Sequence, residues 1–233
     1  MLSVIFDLDD TLCDYGAARQ RAKRKIDLLL REHGVPTGAP YWSRFDELDP
    51  VLFARFTAGE LARDEYRRLR FEIPATDAGA DRATASAAAV QANAVYVACA
   101  NTDIELFDDA LPALSSLRAA GAELSLFTNG PSDGQRAKIR NLGLAPYVDH
   151  VFISEELGVA KPSPAAFAAV LSHLGRTARQ SVMVGDSPTT DIAGARAAGI
   201  RAVLVDRAGQ WSDPSVETIT GLAGLPLLLT AAL

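Results

Sequence analysis

Cysteine is nearly missing: the chain has two in 233 residues, Cys13 and Cys99. So sparse a pair makes no disulfide framework and no cluster at metal-ligand spacing. A reduced, cytoplasmic setting is the expectation. Histidine is scarce too, and His33, His150 and His173 fall away from every predicted strand end. Surface or packing roles are expected for them, because partly buried histidine needs no ligand to explain it. A basic excess is also lacking. Lysine and arginine number 23 against 29 acidic residues, for a net charge of −6. That disfavours a nucleic-acid backbone or an anionic membrane as the main partner. No apolar run reaches bilayer length. The opening run from Leu2 is broken by Asp7, so no signal peptide is expected. The closing run, Leu222 to Leu233, has twelve residues and reads as a terminal element packed on the core.

What is present is apolar residue in quantity. A hydrophobic fraction of 48% supports a sizeable core and excludes disorder. The length suits one large domain or one domain carrying an insertion. Val4-Ile5-Phe6 is a short continuous apolar run, the pattern of a strand buried on both faces. From residue 15 to 100 no strand-like alternation occurs. Helices are predicted over Ala17 to His33, Arg44 to Phe56, Ala58 or Gly59 to Phe71, and Arg82 to Cys99, with Pro74 to Asp81 as a turn-rich link. The basic run Arg19 to Lys25 reads as a solvated helix face. Beyond residue 104 the texture becomes regular. Strands at Leu124–Thr128, His150–Ile153, Ser181–Val184 and Arg201–Val205 alternate with helices at Asp108–Ala120, Ser132–Leu142, Pro164–Leu174 and Thr189–Ala198. Ser163 is a candidate N-cap for the third of these helices. Such alternation implies right-handed crossovers and a parallel sheet, hence an α/β fold.

Polar residues gather where the strands end. The first runs into Asp7-Leu8-Asp9-Asp10-Thr11 and the second into Thr128-Asn129-Gly130. The third is followed by Lys161-Pro162, and the fourth runs into Gly185-Asp186 and on to Asp191. In a parallel sheet the carboxyl ends share one edge, so these groups converge there. Singly, each is an ordinary turn, surface or loop feature. Together they supply carboxylates, a hydroxyl, an amide and an ammonium, the inventory of a phosphoryl-transfer site. Three acids in four residues call for an offsetting charge, and Mg²⁺ prefers such oxygen ligands. Cys13 has no base beside it in the sequence and reads as a packed thiol.

In these four segments, taken in order, the chain resembles the haloacid dehalogenase superfamily, in the branch with a helical cap inserted after the first motif. The resemblance implies a doubly wound, Rossmann-like core over 1–14 and 101–233 and an all-α cap over 15–100. It implies Asp7 as nucleophile and Asp9 as general acid and base. Mg²⁺ would be held by Asp7, Asp186 and the main-chain carbonyl of Asp9. Thr128 and the Asn129 backbone N–H would donate to phosphoryl oxygens. Lys161 would offset charge, and Asp191 would orient waters or Lys161. Hinges are expected near Cys13 to Gly16 and Ala100 to Asp103.

Asp9 separates the chemistries within that family. A departing halide needs no proton, whereas an alkoxide does, so an acid two residues after the nucleophile favours phosphate esters. Phe53, Phe56, Thr57, Gly59, Glu60, Arg70 and Phe71 resemble the cap of a subgroup that includes 5′-nucleotidases, with N-acylneuraminate-9-phosphate phosphatases as near relatives. The expected activity is hydrolysis of a small phosphomonoester, a nucleoside monophosphate or sugar phosphate, by a monomer or homodimer without nucleic-acid or membrane partners. Trp42, Phe45, Phe53 and Phe56 either line the leaving-group pocket or form the cap's own core. A sugar phosphomutase and a non-catalytic phosphate-binding domain stay open as alternatives. A phosphate-relay receiver domain does not suit the length or the insertion.

Overall fold

The computed structural model describes residues 1–230. Six strands, β1 (Ser3–Phe6), β2 (Glu123–Thr128), β3 (His150–Ile153), β4 (Ser181–Gly185), β5 (Arg201–Val205) and β6 (Glu217–Ile219), form one sheet. Every pairing is parallel, in the order β3-β2-β1-β4-β5-β6. The α/β, Rossmann-like class is therefore as expected. β1 lies between β2 and β4, and Val4, Ile5 and Phe6 are fully buried. Burying each such side chain contributes roughly 1.5–3 kcal/mol, which is why a four-residue strand holds the centre. The chain order reverses direction across the sheet between β1 and β4, the place where open α/β sheets hold ligands. β6 was not anticipated. Its three residues carry no buried alternation to announce it.

The chain divides into two compact units, Met1–Tyr15 with Glu105–Leu233, and Gly16–Ile104. The second unit is all-helical, built from α1 (Tyr15–Glu32), α2 (Ala39–Thr57), α3 (Arg63–Asp77) and α4 (Arg82–Thr102). Two of these helices differ from expectation. α2 starts five residues earlier than predicted, with Pro40 in its first turn, where a missing N–H costs nothing. α3 starts at Arg63 and runs through Pro74 to Asp77, so the first half of the predicted link from Pro74 is helix. Phe71, Pro74 and Ala75 are buried there, and packing outweighs the proline's local cost. Phe45 packs on Phe71 at 5.0 Å between ring centroids, and Phe53 and Phe56 pack on Tyr66 at 5.7 and 5.5 Å. Phe45 and Phe56 therefore belong to the helical unit's own interior. Trp42 Nε1 donates to Asp27 at 3.2 Å.

In the sheet unit, α5 (Ala110–Ala119), α6 (Ser132–Asn141), α7 (Ser154–Leu157), α8 (Pro164–Leu174), α9 (Gly194–Ala197) and α10 (Leu225–Thr230) accompany the strands. Ser163 precedes α8, but its side chain makes no capping hydrogen bond. The predicted helix from Thr189 is a π-helical turn, Pro188–Ala193, that hands over to α9. Of the apolar C-terminal run, Leu222, Leu225 and Leu229 are fully buried, and residues 231–233 lie outside the described residues. Among the described residues no helix is long and apolar enough to cross a membrane. His150 and His173 pack edge to face at 5.7 Å, each against Phe152, at the far end of β3 from the loops that carry the acids.

Candidate active site

β1 delivers its first acid by sheet hydrogen bonding. The Asp7 N–H donates to the Val184 carbonyl at 2.9 Å, so Asp7 sits beside the end of β4. The chain then folds back on itself. Leu12 and Cys13 N–H groups donate to the Leu8 carbonyl at 3.0 and 3.3 Å, and Asp10 takes φ 58°, a left-handed value that aspartate tolerates better than most. Thr11 Oγ1 donates to Asp186 Oδ1 at 3.3 Å, tying this turn to the end of β4. Arg207, beyond β5, donates to the Thr11 carbonyl at 2.9 Å while paired with Asp109.

Lys161 is at the centre of the cluster. Its Nζ donates to Asp7 Oδ1 and Asp191 Oδ1, each at 2.6 Å, with the Phe127 ring 5.2 Å away. All three side chains are buried. Asn129 fixes the lysine's backbone: its Nδ2 donates to the Lys161 carbonyl at 2.9 Å and its Oδ1 accepts from the Lys161 N–H at 3.0 Å. Asp191 reaches back across the π-turn, where its Oδ2 accepts from the Ser187 N–H at 3.1 Å. Two glycines make this packing feasible. A Cβ on Gly185 would meet the Asp191 carboxylate at 2.3 Å, and one on Gly194 would meet the Phe167 ring at 2.6 Å and Pro162 Cα at 2.9 Å. Side chains at either place would push apart the segments that hold Asp191 and Lys161.

Asp7, Asp186 and Asp191 each offer an oxygen within 4.8 Å of the others. One ammonium cannot balance three carboxylates. Burial pushes Asp7 well above the ordinary carboxylate range; Lys161 opposes this, and the charges of Asp191, Asp186 and Asp9 add to it. Burial, with the charges of Asp191 and Asp10, pushes Asp186 up to about 7. For Lys161, burial pulls downward but Asp191 and Asp7 outweigh it and hold the ammonium above the ordinary lysine range. Burial first, and Asp9 second, keep Cys13 a thiol well above its usual value, consistent with a packed role.

The raised Asp186 has a consequence for stability. The folded state keeps this proton between about pH 4 and about 7, whereas the unfolded chain has lost it. Its contribution to stability therefore falls as pH rises through that window. In chelator, Asp186→Asn is expected to melt above wild type at pH 8, and by a clearly smaller margin at pH 5. Thermal melts at the two pH values check this, and a gap of the same size at both would contradict it.

Of the residues singled out from sequence, Asp7, Lys161, Asp186 and Asp191 meet in one cluster, and Asn129 braces Lys161. Asp9 turns its carboxylate toward α6, where Lys138 Nζ donates to Oδ1 and Oδ2 at 2.7 and 2.8 Å. Gln135 Nε2 donates to Asp9 Oδ2 at 3.1 Å and to Thr128 Oγ1 at 2.5 Å. Neither Gln135 nor Lys138 was expected at the site. The signal was available: α6 opens directly after Thr128-Asn129-Gly130, and residues 135 and 138 share a face at i,i+3 spacing.

The haloacid dehalogenase-like hydrolase family matches residues 1–199. The chain belongs to that family. It is 33% identical over 207 residues to a ribulose-1,5-bisphosphate 5-phosphatase of Halopiger xanaduensis, covering 88% of this chain and 84% of the other. It is 29% identical over 212 residues to the pyrimidine 5′-nucleotidase PynA of Streptococcus pneumoniae, covering 91% and 83%. Among solved structures, the magnesium-bound HAD-hydrolase YfnB of Bacillus subtilis superposes with a TM-score of 0.81 at 26% identity, covering 98% of each chain.

Proposed function

We propose that this protein is a Mg²⁺-dependent phosphatase that hydrolyses small phosphomonoesters through an aspartyl-phosphate on Asp7. The observation that carries the proposal is the Asp7–Lys161–Asp191 chain beside Asp186, at the sheet's switch point. The donor set suits the cation: all oxygen, two of the three acids buried, and more negative charge than one lysine offsets. Asp7, Asp186 and the Asp9 carbonyl would hold Mg²⁺, since Lys161 and the Ser187 N–H already occupy the oxygens of Asp191. When bound, the ion supplies charge neutralisation and Lewis-acid polarisation of the phosphoryl group.

The chain's own residues do the rest. An Asp7 oxygen attacks phosphorus, and the bond to the alcohol oxygen breaks. Asp9 gives its proton to that oxygen as it leaves. Lys161 and Thr128 stabilise the charge on the transferring oxygens, the former as a compact cation. Asp9, now a carboxylate, takes a proton from water as the water attacks the phosphorus, and Asp7 is released with free phosphate. The acid at residue 9 favours esters over halides, because an alkoxide must be protonated to depart. The two relatives, matched over 84% and 83% of their lengths, act, by name, on a sugar bisphosphate and on pyrimidine nucleotides, which supports a nucleoside monophosphate or sugar phosphate as the ester here.

Phosphate release from nucleoside monophosphates, sugar phosphates and an aryl phosphate, with Mg²⁺ and with chelator, tests the proposal. Metal-dependent release is expected, and its ranking identifies the leaving group. No release from any ester would overturn it.

A further inference from the structure

Asp9 is held by an apparatus that the roles assigned above do not use. Lys138 meets both of its oxygens, Gln135 one of them, and the Cys13 thiol donates to Oδ1 at 3.8 Å, so four hydrogen bonds converge on a single carboxylate. Lys138 is 5% exposed and Gln135 3%. The Lys138 ammonium also lies 4.1 Å from the centroid of the Tyr15 ring. An exposed pair of this kind would be loosened by water and salt. Here the Lys138 side chain is 6% exposed and that of Asp9 23%, so the lysine end is shielded from water and losing the pair leaves a poorly solvated charge.

We infer that Lys138 is a positioning residue that aims the Asp9 carboxyl group at the leaving oxygen. The inference rests on the reading of Asp9 as proton donor. The terminal torsion of an aspartate is broad and two-fold, so the side chain alone does not choose where its oxygens point. A general acid must come within hydrogen-bond reach of the atom it protonates, so that choice matters. Here α6 makes it. The helix is anchored at its start, where the Ser132 N–H donates to Glu155 Oε2 at 2.8 Å and the Gly130 N–H to Ser154 Oγ at 3.0 Å. Gln135 and Lys138 then project from one helical face toward Asp9. Through Gln135, the same face also touches Thr128 Oγ1, so the hydroxyl assigned to the phosphoryl group and the acid assigned to the leaving group are keyed to one rigid element.

A double-mutant cycle on the full-length protein with Mg²⁺ tests this, using kcat/KM for ribose 5-phosphate and for p-nitrophenyl phosphate. That constant covers the steps up to departure of the alcohol. Lys138→Met is expected to lower it about 10- to 100-fold for the sugar ester, the scale of a misplaced catalytic group. For the aryl ester, whose leaving group departs without a proton, the loss should be under about threefold. On an Asp9→Asn background the same substitution should change either value by no more than about twofold, because the group it positions is gone. Lys138→Gln keeps a donor and is read in the same way if melting shows that the Met variant does not fold. Equal losses on both esters, or a loss that persists without Asp9, would overturn the inference. Undiminished sugar-ester turnover by Asp9→Asn alone would instead overturn the reading of Asp9 itself.

Discussion

Asp7→Asn is expected to abolish phosphate release from every ester while leaving the fold intact. Replacing a covalent nucleophile removes the first chemical step entirely, and losses of at least about 10⁴-fold are usual for such changes. The stability side is equally specific. Asp7 is buried and its ionised form is disfavoured there, first by desolvation and then by its acidic neighbours. Asparagine keeps the shape and removes one of three crowded charges, and Lys161 retains Asp191 as a partner at 2.6 Å. The variant should therefore melt at or above the wild-type temperature in chelator. Activity assays beside thermal melts check both halves. A variant that is inactive because it is unfolded would leave Asp7 a structural residue.

Lys161→Met is expected to have the largest combined effect. The lysine is buried between two carboxylates, and its loss leaves both without their shared cation. Removing one partner of a buried ion pair costs about 3–5 kcal/mol. The deficit should be greatest at pH 8 and smaller at pH 5. Lys161 opposes the upward push on Asp7, so without the ammonium Asp7 binds its proton still more tightly in the folded state than in the unfolded chain, and stability falls as pH rises. Turnover should drop by at least about 10²-fold, the scale seen when one group stabilising the transition state is deleted. Urea unfolding at the two pH values and kcat with saturating Mg²⁺ measure these effects. A deficit independent of pH would show that Lys161 contributes packing alone.

Much of this site was legible in the sequence, for a physical reason. A fully buried parallel strand reads as an unbroken apolar run, and the residues just past its carboxyl end must lie at the ligand edge. Asp7, Thr128 and Asp186 are all found by that rule, and Lys161 and Asp191 lie on the loop and turn that follow. The helical insertion was visible because nothing between residues 15 and 100 alternates. What escaped depends on tertiary contact. Pro74 reads as a breaker, yet burial of Phe71 and Ala75 carries α3 past it. In the π-turn Asp191 bonds Lys161, thirty residues away, as well as the nearby Ser187 N–H, and no local pattern encodes the distant partner. Lys138 looks like one basic residue among several on α6, and only the rotation of that helix against the sheet separates it from the solvated Arg140. The expectation for Asn129 concerned its backbone N–H alone; that its side chain also bridges to the Lys161 backbone was not foreseen.

The central claim is that Asp7 carries the phosphoryl group. It is tested most directly by mixing the Mg²⁺-loaded protein with p-nitrophenyl phosphate, quenching within milliseconds in acid, and weighing the proteolytic peptides. The account predicts that the peptide containing Asp7 gains the mass of one phosphoryl group, transiently in wild type and never in Asp7→Asn. Turnover with no phosphorylated peptide at any time, or with the group on a peptide lacking Asp7, would contradict it.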